Sequence, residues 1–270
     1  MHSPRYVVIE KQRGQTPLEA ITAWRKAHPM FAEVRASYAG RLDPMAEGKL
    51  LVLLGDECRK QDRYIGLDKE YEVEFVLGIG TDTGDALGMP TLDSGSHTVL
   101  DMERTLSTLV GSHAIPYPAF SSKTVNGKPL FLYTLEGTLD TITIHTHDER
   151  IYRIKLLETS PLSPSDLTHR IDRALAVVPR SDEPSKVLGA DFRQDAIRAA
   201  WKDVFADLSP DTCFGYVRLR VTCASGTYMR TLAERLGSER GTRGFALTIR
   251  RTKIGRYVPL GPWGVWWKQY

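Results

Sequence analysis

The sequence predicts an α+β fold, a mixed and largely antiparallel β-sheet with flanking helices. Three observations predict it. Period-two alternation recurs along the chain, as in "EYEVEFVLG" (70–78) and "YVRLRVTC" (216–223). Helical patterns fall between such runs without regular βαβ alternation. Asn126-Gly127, within "KTVNGKPLF", is a strong hairpin-turn signal.

Each element follows from its residues. "RYVVIEK" (5–11) reads as a short strand. "QTPLEAITAWRKA" starts a helix, with Thr16 as N-cap, Pro17 at the first helical position and Glu19 closing a capping box. Leu18, Ile21 and Trp24 recur at helical spacing. "KLLVLLG" (49–55) is a continuous apolar run ending in Gly, which predicts a strand buried on both faces. In 70–78, Tyr71, Val73 and Phe75 share one face and Glu72 and Glu74 the other. "GTDTGDALG" (80–88) is a loop by composition, and Asp82 and Asp85 are expected to bond nearby backbone in turns rather than hold a metal. "VLDMERTLSTLVG" (99–111) has helical periodicity.

"ERIYRIKLLE" (149–158) reads as a strand. His145 and His147 lie near it, but no third metal ligand is apparent. From 161 to 210 prolines break the chain, and Phe192, Ala196, Ile197, Ala200, Trp201, Val204 and Phe205 predict one amphipathic helix. This segment is expected to be an insertion folded on the main body. In 216–223, Val217, Leu219, Val221 and Cys223 point inward and Arg218 and Arg220 outward. Thr227 is the expected N-cap of a helix running to Gly237, and "FALTIRRTKIGRY" (245–257) closes as a basic strand.

Composition bounds the function. A chain of 270 residues with 41% hydrophobic and 26% charged residues has enough apolar content for a proper core. No window approaches the ~18 apolar residues of a membrane span, and the N-terminus lacks a signal-peptide pattern, so a cytoplasmic protein is expected. Cys58, Cys213 and Cys223 form no CxxC pair and are expected to be buried small hydrophobes rather than zinc ligands or disulfides. Net charge is only +3, yet residues 218–256 hold ten Lys/Arg and two acids, a local charge of +8. Such asymmetry points to a polyanion such as nucleic acid, set against the plain reading of a solvated basic face.

Several chemistries lose ground. "AEGKLL" is not a phosphate-binding loop, "GIGTDTG" lacks the dinucleotide-binding glycine spacing, and G-x-S-x-G and H-E-x-x-H are absent. No metal and no cofactor is expected. One feature asks for another explanation: Asp43, between Leu42 and Pro44, stands at the mouth of the apolar run 49–55. With it go Tyr71 in "KEYEV", Tyr228 and Arg230 in "SGTYMRT", and Ile249 in "LTIRR".

In their order and spacing, "GRLDPMAEG", "KEYEV", "GIGTDTGDALG", "PAFSSKTVNGKPL" and "ASGTYMRTLAERLG" resemble the motifs of the TruB family of pseudouridine synthases, which isomerise the T-loop uridine of tRNA. The resemblance covers about 5–158 and 216–257. It implies the pseudouridine synthase fold in a single catalytic domain over 1–270, apart from the 161–210 segment. It also implies a cofactor-independent isomerase acting on RNA, with tRNA the expected partner, and a monomer. By this resemblance Asp43 is the catalytic acid, acting as nucleophile or as an ion stabilising the sugar intermediate, in a dry and rigid pocket where its charge acts strongly. Arg230 keeps it ionised. Tyr71 stacks on the uracil and its phenol is placed to relay a proton, Tyr228 positions the base, and Ile249 packs beneath the ring. Arg250, Arg251, Lys253 and Arg256 are expected to meet RNA phosphates.

The chain departs from the family pattern in places. Tyr38 stands where the family has a His, and an aromatic there is expected to stack on flipped bases. The family Lys-Pro near the N-terminus is here Lys11-Gln12, and Lys123 is displaced by one residue. A C-terminal PUA module is not expected, because only thirteen residues follow Tyr257. The alternative is a non-catalytic RNA-binding or tRNA-folding protein on the same fold, which needs the basic surface but not Asp43, Tyr71, Tyr228 and Arg230 together. A glycoside-cleaving enzyme requires a second carboxylate, for which Glu47 and Asp56 are near in sequence.

Overall fold

The computed structural model describes residues 4–93, 99, 101–178, 193–206, 208–209, 211–261 and 263–270. The first half of the chain runs β1 (Tyr6–Lys11), α1 (Pro17–Ala27), β2 (Ala36–Ala39), β3 (Ala46–Leu54), α2 (Asp62–Ile65), β4 (Asp68–Leu77), β5 (Ile79–Thr81), β6 (Pro90–Leu92), α3 (Met102–Thr108), β7 (Gly111–Pro116), β8 (Thr124–Val125), β9 (Lys128–Pro129) and α4 (Leu130–Leu135). The second half runs β10 (Thr146–Leu162), α5 (Pro164–Ala176), α6 (Gln194–Ala206), β11 (Phe214–Cys223), α7 (Met229–Glu239), β12 (Gly244–Leu260) and β13 (Trp263–Gln269).

One large sheet dominates, in the order β1-β3-β12-β4-β11-β10-β7, with β2 beside β3 and β13 beside β12. Among the described residues its pairings are antiparallel except where β12 meets β3, Ile249 lying against Ala46. The α+β class follows. That one parallel seam brings β12 beside the entrance of β3, where Asp43 sits.

Local chemistry explains most elements. Thr16 Oγ1 accepts the Glu19 N–H at 3.2 Å while the Glu19 carboxylate accepts the Thr16 N–H at 2.6 Å, a complete capping box. Asn126 and Gly127 both take positive φ (50° and 79°) between β8 and β9, as a type I′ hairpin turn requires. Asp82 accepts from the Met89 N–H and Asp85 from the Leu87 N–H, so both aspartates brace turns.

The sheet carries a core layer on each face. On one, Tyr71, Val73, Phe75, Val217, Leu219 and Val221 pack against α7 and α3 through Met229, Leu232, Leu236, Met102 and Leu106. On the other, Val76, Phe214, Tyr216, Phe245 and Leu247 pack against Leu167, Ile171 and Leu175 of α5 and Ile197 and Trp201 of α6. Alternation along β4 and β11 feeds both layers.

Some expectations need correction. Thr227 is not the cap of α7; Tyr228 holds that position without a side-chain bond, Thr227 Oγ1 donates instead to Ala224 O, and the helix runs past Gly237 to Glu239. Leu18 faces solvent, because α1 turns its Ala20–Ile21 side to the sheet. Cys213 is exposed, unlike Cys58 and Cys223. Two elements, α5 and β13, have no counterpart among those expected from the sequence. Phe192, assigned to the amphipathic helix, lies outside the described residues. The rest of that set falls in or beside α6.

The 161–210 segment thus contributes two helices to a core layer. Trp201 is 2% exposed, its indole N–H donates to Ala86 O at 3.2 Å, and its ring lies 5.5 Å from Phe205 and Phe245. Trp201→Ala should cost about 3–5 kcal/mol, read as a lower urea midpoint. An unchanged midpoint would mean the segment packs loosely.

Candidate active site

Asp43 lies on the connection from β2 to β3, and buried cations hold this connection from both sides. Lys11, at the end of β1, is fully buried; its Nζ donates to Ala46 O at 2.5 Å and Gln12 O at 3.1 Å, with Pro44 O at 3.5 Å. Arg251, 1% exposed, donates from Nε to Lys49 O, from Nη1 to Arg41 O and from Nη2 to Gly40 O. Buried carbonyls without partners are costly, so these two side chains fix the loop's path. Pro44 further restricts Asp43 to extended backbone. The glycines of "GRLDPMAEG" fit the same path. Gly40 and Gly48 have φ of 85° and 103°, and a Cβ on Gly48 would lie 2.4 Å from Arg251 O.

Arg230, on the first turn of α7, meets this loop. Its Nη2 is 2.9 Å from Asp43 Oδ2 and its Nε 3.8 Å from Asp85 Oδ2. It also donates from Nη1 to Thr83 O at 2.7 Å and from Nη2 to Phe120 O at 3.0 Å. One guanidinium therefore joins the Asp43 loop, the "TDTGD" loop and the segment at 117–123. Burial pulls the Arg230 pKa down, but the Asp43 and Asp85 charges outweigh it and hold the value above normal. Burial pushes the Asp85 carboxyl up, against the pull of Arg230. Asp43 keeps 34% of its side chain exposed, while Arg230 beneath it keeps 6%. The pair thus presents a carboxylate to the pocket and hides its counter-ion.

The pocket measures about 250 Å³, with walls that include Asp43, Tyr71, Tyr228, Arg230 and Ile249. Tyr71 points inward from the middle of β4; burial pushes its phenol up, so it stays protonated at neutral pH. Ile249 reaches the pocket from β12, directly opposite Val73. Lys69, two residues before Tyr71 and on the same face, donates from Nζ to Ile65 O and Ser225 Oγ, both at 3.0 Å. Ser225 Oγ in turn donates to Ile65 O at 2.7 Å. These bonds fasten the 224–228 loop to the start of β4.

A second set of contacts fixes Tyr228. Its N–H donates to Glu149 Oε1 at 3.1 Å, and Glu149 is fully buried between His147 and Arg235. The His147 ring stacks on Tyr117 with centroids 4.2 Å apart and meets Tyr228 edge-on at 5.6 Å, while its Nε2 lies 3.0 Å from Gly226 O. Lys123 sits over the Tyr117 ring at 4.8 Å.

Not every expected residue reaches this pocket. Tyr38 pairs with Val52 across β2–β3 and packs in the layer of Ile9, Ile21 and Phe31 under α1, so it does not line the cavity. Arg251 does border the pocket, but it is buried and its guanidinium is engaged by the carbonyls of the Asp43 loop, so it is no surface phosphate contact. Arg250 is exposed but paired with Glu10 at 2.8 Å, and Lys253 is paired with Glu70 at 3.1 Å, away from the pocket. The local +8 is largely compensated within the fold. Besides these two, Arg218 pairs with Glu158, Arg220 with Glu72, Arg230 with Asp43 and Arg235 with Glu149. The carboxylates come from neighbouring strands or loops, which is where the remaining negative charge of the chain went.

Sequence reasoning also missed contributors. Asp85, Glu149 and Lys69 belong to the site's supporting structure, as does Lys11, noted only as a departure. Lys11 had a signal, since it follows Ile9 at period two on the inward face of β1. Burial lowers the Lys69 pKa to about 8, helped by the Arg251 charge. From pH 8 up to the unfolded value near 10.5 the unfolded chain therefore holds a proton that the folded one has released, and stability rises with pH by about 1.4 kcal/mol for each unit of the shift. Subtracting the stability–pH curve of Lys69→Met from that of the native protein should give this rise between pH 8 and 10.5. A flat difference would place Lys69 in a wetter setting.

Known proteins resemble this chain in sequence and fold. The model of the TruB family pseudouridylate synthase N-terminal domain matches residues 28–172, more than half of the chain. The tRNA pseudouridine synthase B of Bifidobacterium longum subsp. infantis is 28% identical over 279 aligned residues, covering 93% of this chain and 63% of that protein. That of Aromatoleum aromaticum is 28% identical over 252, with the same two coverages. The chain thus spans about 63% of the length of these curated relatives. In structure, a chain of a Cbf5-Nop10-Gar1 complex superposes with a TM-score of 0.52 at 18% identity, over 92% of this chain and 48% of that one, which supports the fold alone. Among the described residues no helix is long and apolar enough to cross a membrane. With the family match running through the Asp43 loop and β4, this chain belongs to the TruB family of pseudouridylate synthases.

Proposed function

We propose that this protein is an RNA pseudouridine synthase that isomerises a single everted uridine, with the T-loop of tRNA as its target. The observation that carries the reading is the 2.9 Å pair of Asp43 and Arg230 opening into a pocket walled by Tyr71, Tyr228 and Ile249. The target is supported by the relatives named as tRNA pseudouridine synthase B.

The reaction breaks the bond from ribose C1′ to uracil N1 and joins C1′ to C5. N1 ends with a proton and C5 loses one, so the product is an isomer and nothing is oxidised. Bond cleavage and the turning of the base each have a matching group in the pocket. Asp43 provides the negative charge facing the sugar as the glycosidic bond breaks. Arg230 holds that carboxylate in place before the RNA arrives, so no reorganisation is needed at the moment of reaction. The detached base must turn without escaping, and the rings of Tyr71 and Tyr228 with the Ile249 side chain give it flat apolar walls. The neutral Tyr71 phenol can donate a hydrogen bond without adding charge. A nucleotide inside a duplex cannot reach such a pocket and must leave its stack. The helices α5 and α6 of the 161–210 segment and the sheet form one synthase unit in this reading.

The test is incubation with an unmodified tRNA transcript followed by chemical mapping of pseudouridine. One modified uridine in the T-loop is expected. Modification at another single uridine would overturn the target, and tight RNA binding without product would overturn the enzyme.

A further inference from the structure

The back of the sheet carries a second concavity. Tyr71 and Val221 face the Asp43 pocket and its core layer, so Glu70, Arg220 and Thr222, their neighbours in sequence, point the opposite way. There β10, β11, β4, β12 and β13 surround a cavity of about 220 Å³ whose walls include Arg153, Lys155, Arg220, Lys253, Tyr257 and Trp266. The pseudouridylation reading leaves this groove without a role.

Its charge is unbalanced. Arg220 is neutralised by Glu72 at 2.7 Å and Lys253 by Glu70 at 3.1 Å. Arg153 and Lys155 are exposed on alternate positions of β10, and among the described residues neither has a carboxylate within 4 Å. Two uncompensated cations on one wall of a concavity favour an anion.

Its aromatic rim is fixed. The Tyr257 N–H donates to Asp68 Oδ2 at 2.8 Å, and its ring lies 5.4 Å from both Tyr152 and Trp266. Gly264 leaves room for it, since a Cβ there would meet the Tyr257 hydroxyl at 2.1 Å. At the edge, Arg153 lies 5.8 Å over the Trp263 ring, which is 70% exposed. The cavity is smaller than the ~300 Å³ at which pockets for drug-sized ligands begin. It suits a phosphate with part of its sugar, and the base then falls outside, beside Trp263.

We propose that this groove is a second RNA-binding site, taking an unpaired segment of the RNA with a phosphodiester between Arg153 and Lys155 and a base stacked on Trp263. Backbone charge plus an aromatic platform is the combination that binds single strands without reading sequence. The inference rests on the proposed function only in naming RNA as the polyanion.

The experiment measures binding of an unmodified tRNA transcript across a salt series, with single-turnover kinetics on the same variants. R153E/K155E should raise the Kd more than tenfold and flatten the salt slope by about 0.7, the value for one lost phosphate contact on a single strand, with an unchanged rate at saturating RNA. Trp263→Ala should raise the Kd without changing the slope. Both changes fall on exposed side chains, and K26E/K202E, exposed cations on α1 and α6, controls for total charge. Unchanged affinity in R153E/K155E, or an equal loss in K26E/K202E, would overturn the site. A wild-type protein that binds RNA through this groove but makes no pseudouridine would sink the enzymatic reading and leave this inference standing.

Discussion

Asp43→Asn should abolish pseudouridine formation, a loss of about 10⁴-fold or more, the scale seen when a reacting side chain is removed. Asn matches Asp in shape and still offers an oxygen to Arg230, so the 2.9 Å contact and the loop held by Lys11 and Arg251 persist. Only the charge facing the sugar is lost. Folding stability should change little, because Arg230 keeps Asp85 and two backbone carbonyls as partners. RNA affinity should hold as well. Single-turnover kinetics with the same transcript separates these quantities. A D43N protein with native-like turnover would remove Asp43 from the reaction.

Arg230→Ala should be damaging in two ways at once. Arg230 is 5% exposed and bonds to or faces four oxygens, two carboxylate and two carbonyl. Removing it leaves Asp85 buried with no counter-ion and the Thr83 and Phe120 carbonyls without this donor. Breaking such a buried pair costs about 3–5 kcal/mol. Burial already pushes the Asp85 carboxyl up, so in the variant it takes a proton and limits the loss. Turnover should fall about 10²–10³-fold beyond the effect of unfolding, because the carboxylate loses its preorganised partner. Arg230→Lys should fall between, since an ammonium restores the charge but cannot span Asp43, Thr83 and Phe120 as the planar fork does. Urea denaturation with single-turnover assays checks both parts. Arg230→Ala with normal stability and turnover would show that the guanidinium neither supports the site nor serves it.

Much of this molecule was legible in its sequence where the signal is local. The apolar run from Lys49 forms the buried strand its pattern predicts, the Thr16–Glu19 box closes as written, and Asn126-Gly127 makes its turn. The α5 helix had a local signal that composition obscured, as Ser163 caps it and Pro164 stands at its first turn. What depends on strand register was not legible. Arg220 faces Glu72 across β11–β4, so a charge that looked free for a polyanion was already paired. Arg251 was read as surface by residue type, yet it crosses under the Asp43 loop because β12 runs beside both β3 and β4. Tyr38 failed as a stacking residue because β2 turns it toward α1 rather than the pocket. Asp43 and Arg230 are remote in sequence, and only a motif resemblance linked them before the fold did.

The role of the Asp43 pocket is tested most directly by a structure of D43N bound to a tRNA T-arm carrying its unmodified uridine. The expected result is one everted nucleotide, its base between Tyr71 and Ile249 and its ribose against residue 43. A uridine still stacked within the RNA, with that pocket open to solvent, would contradict it.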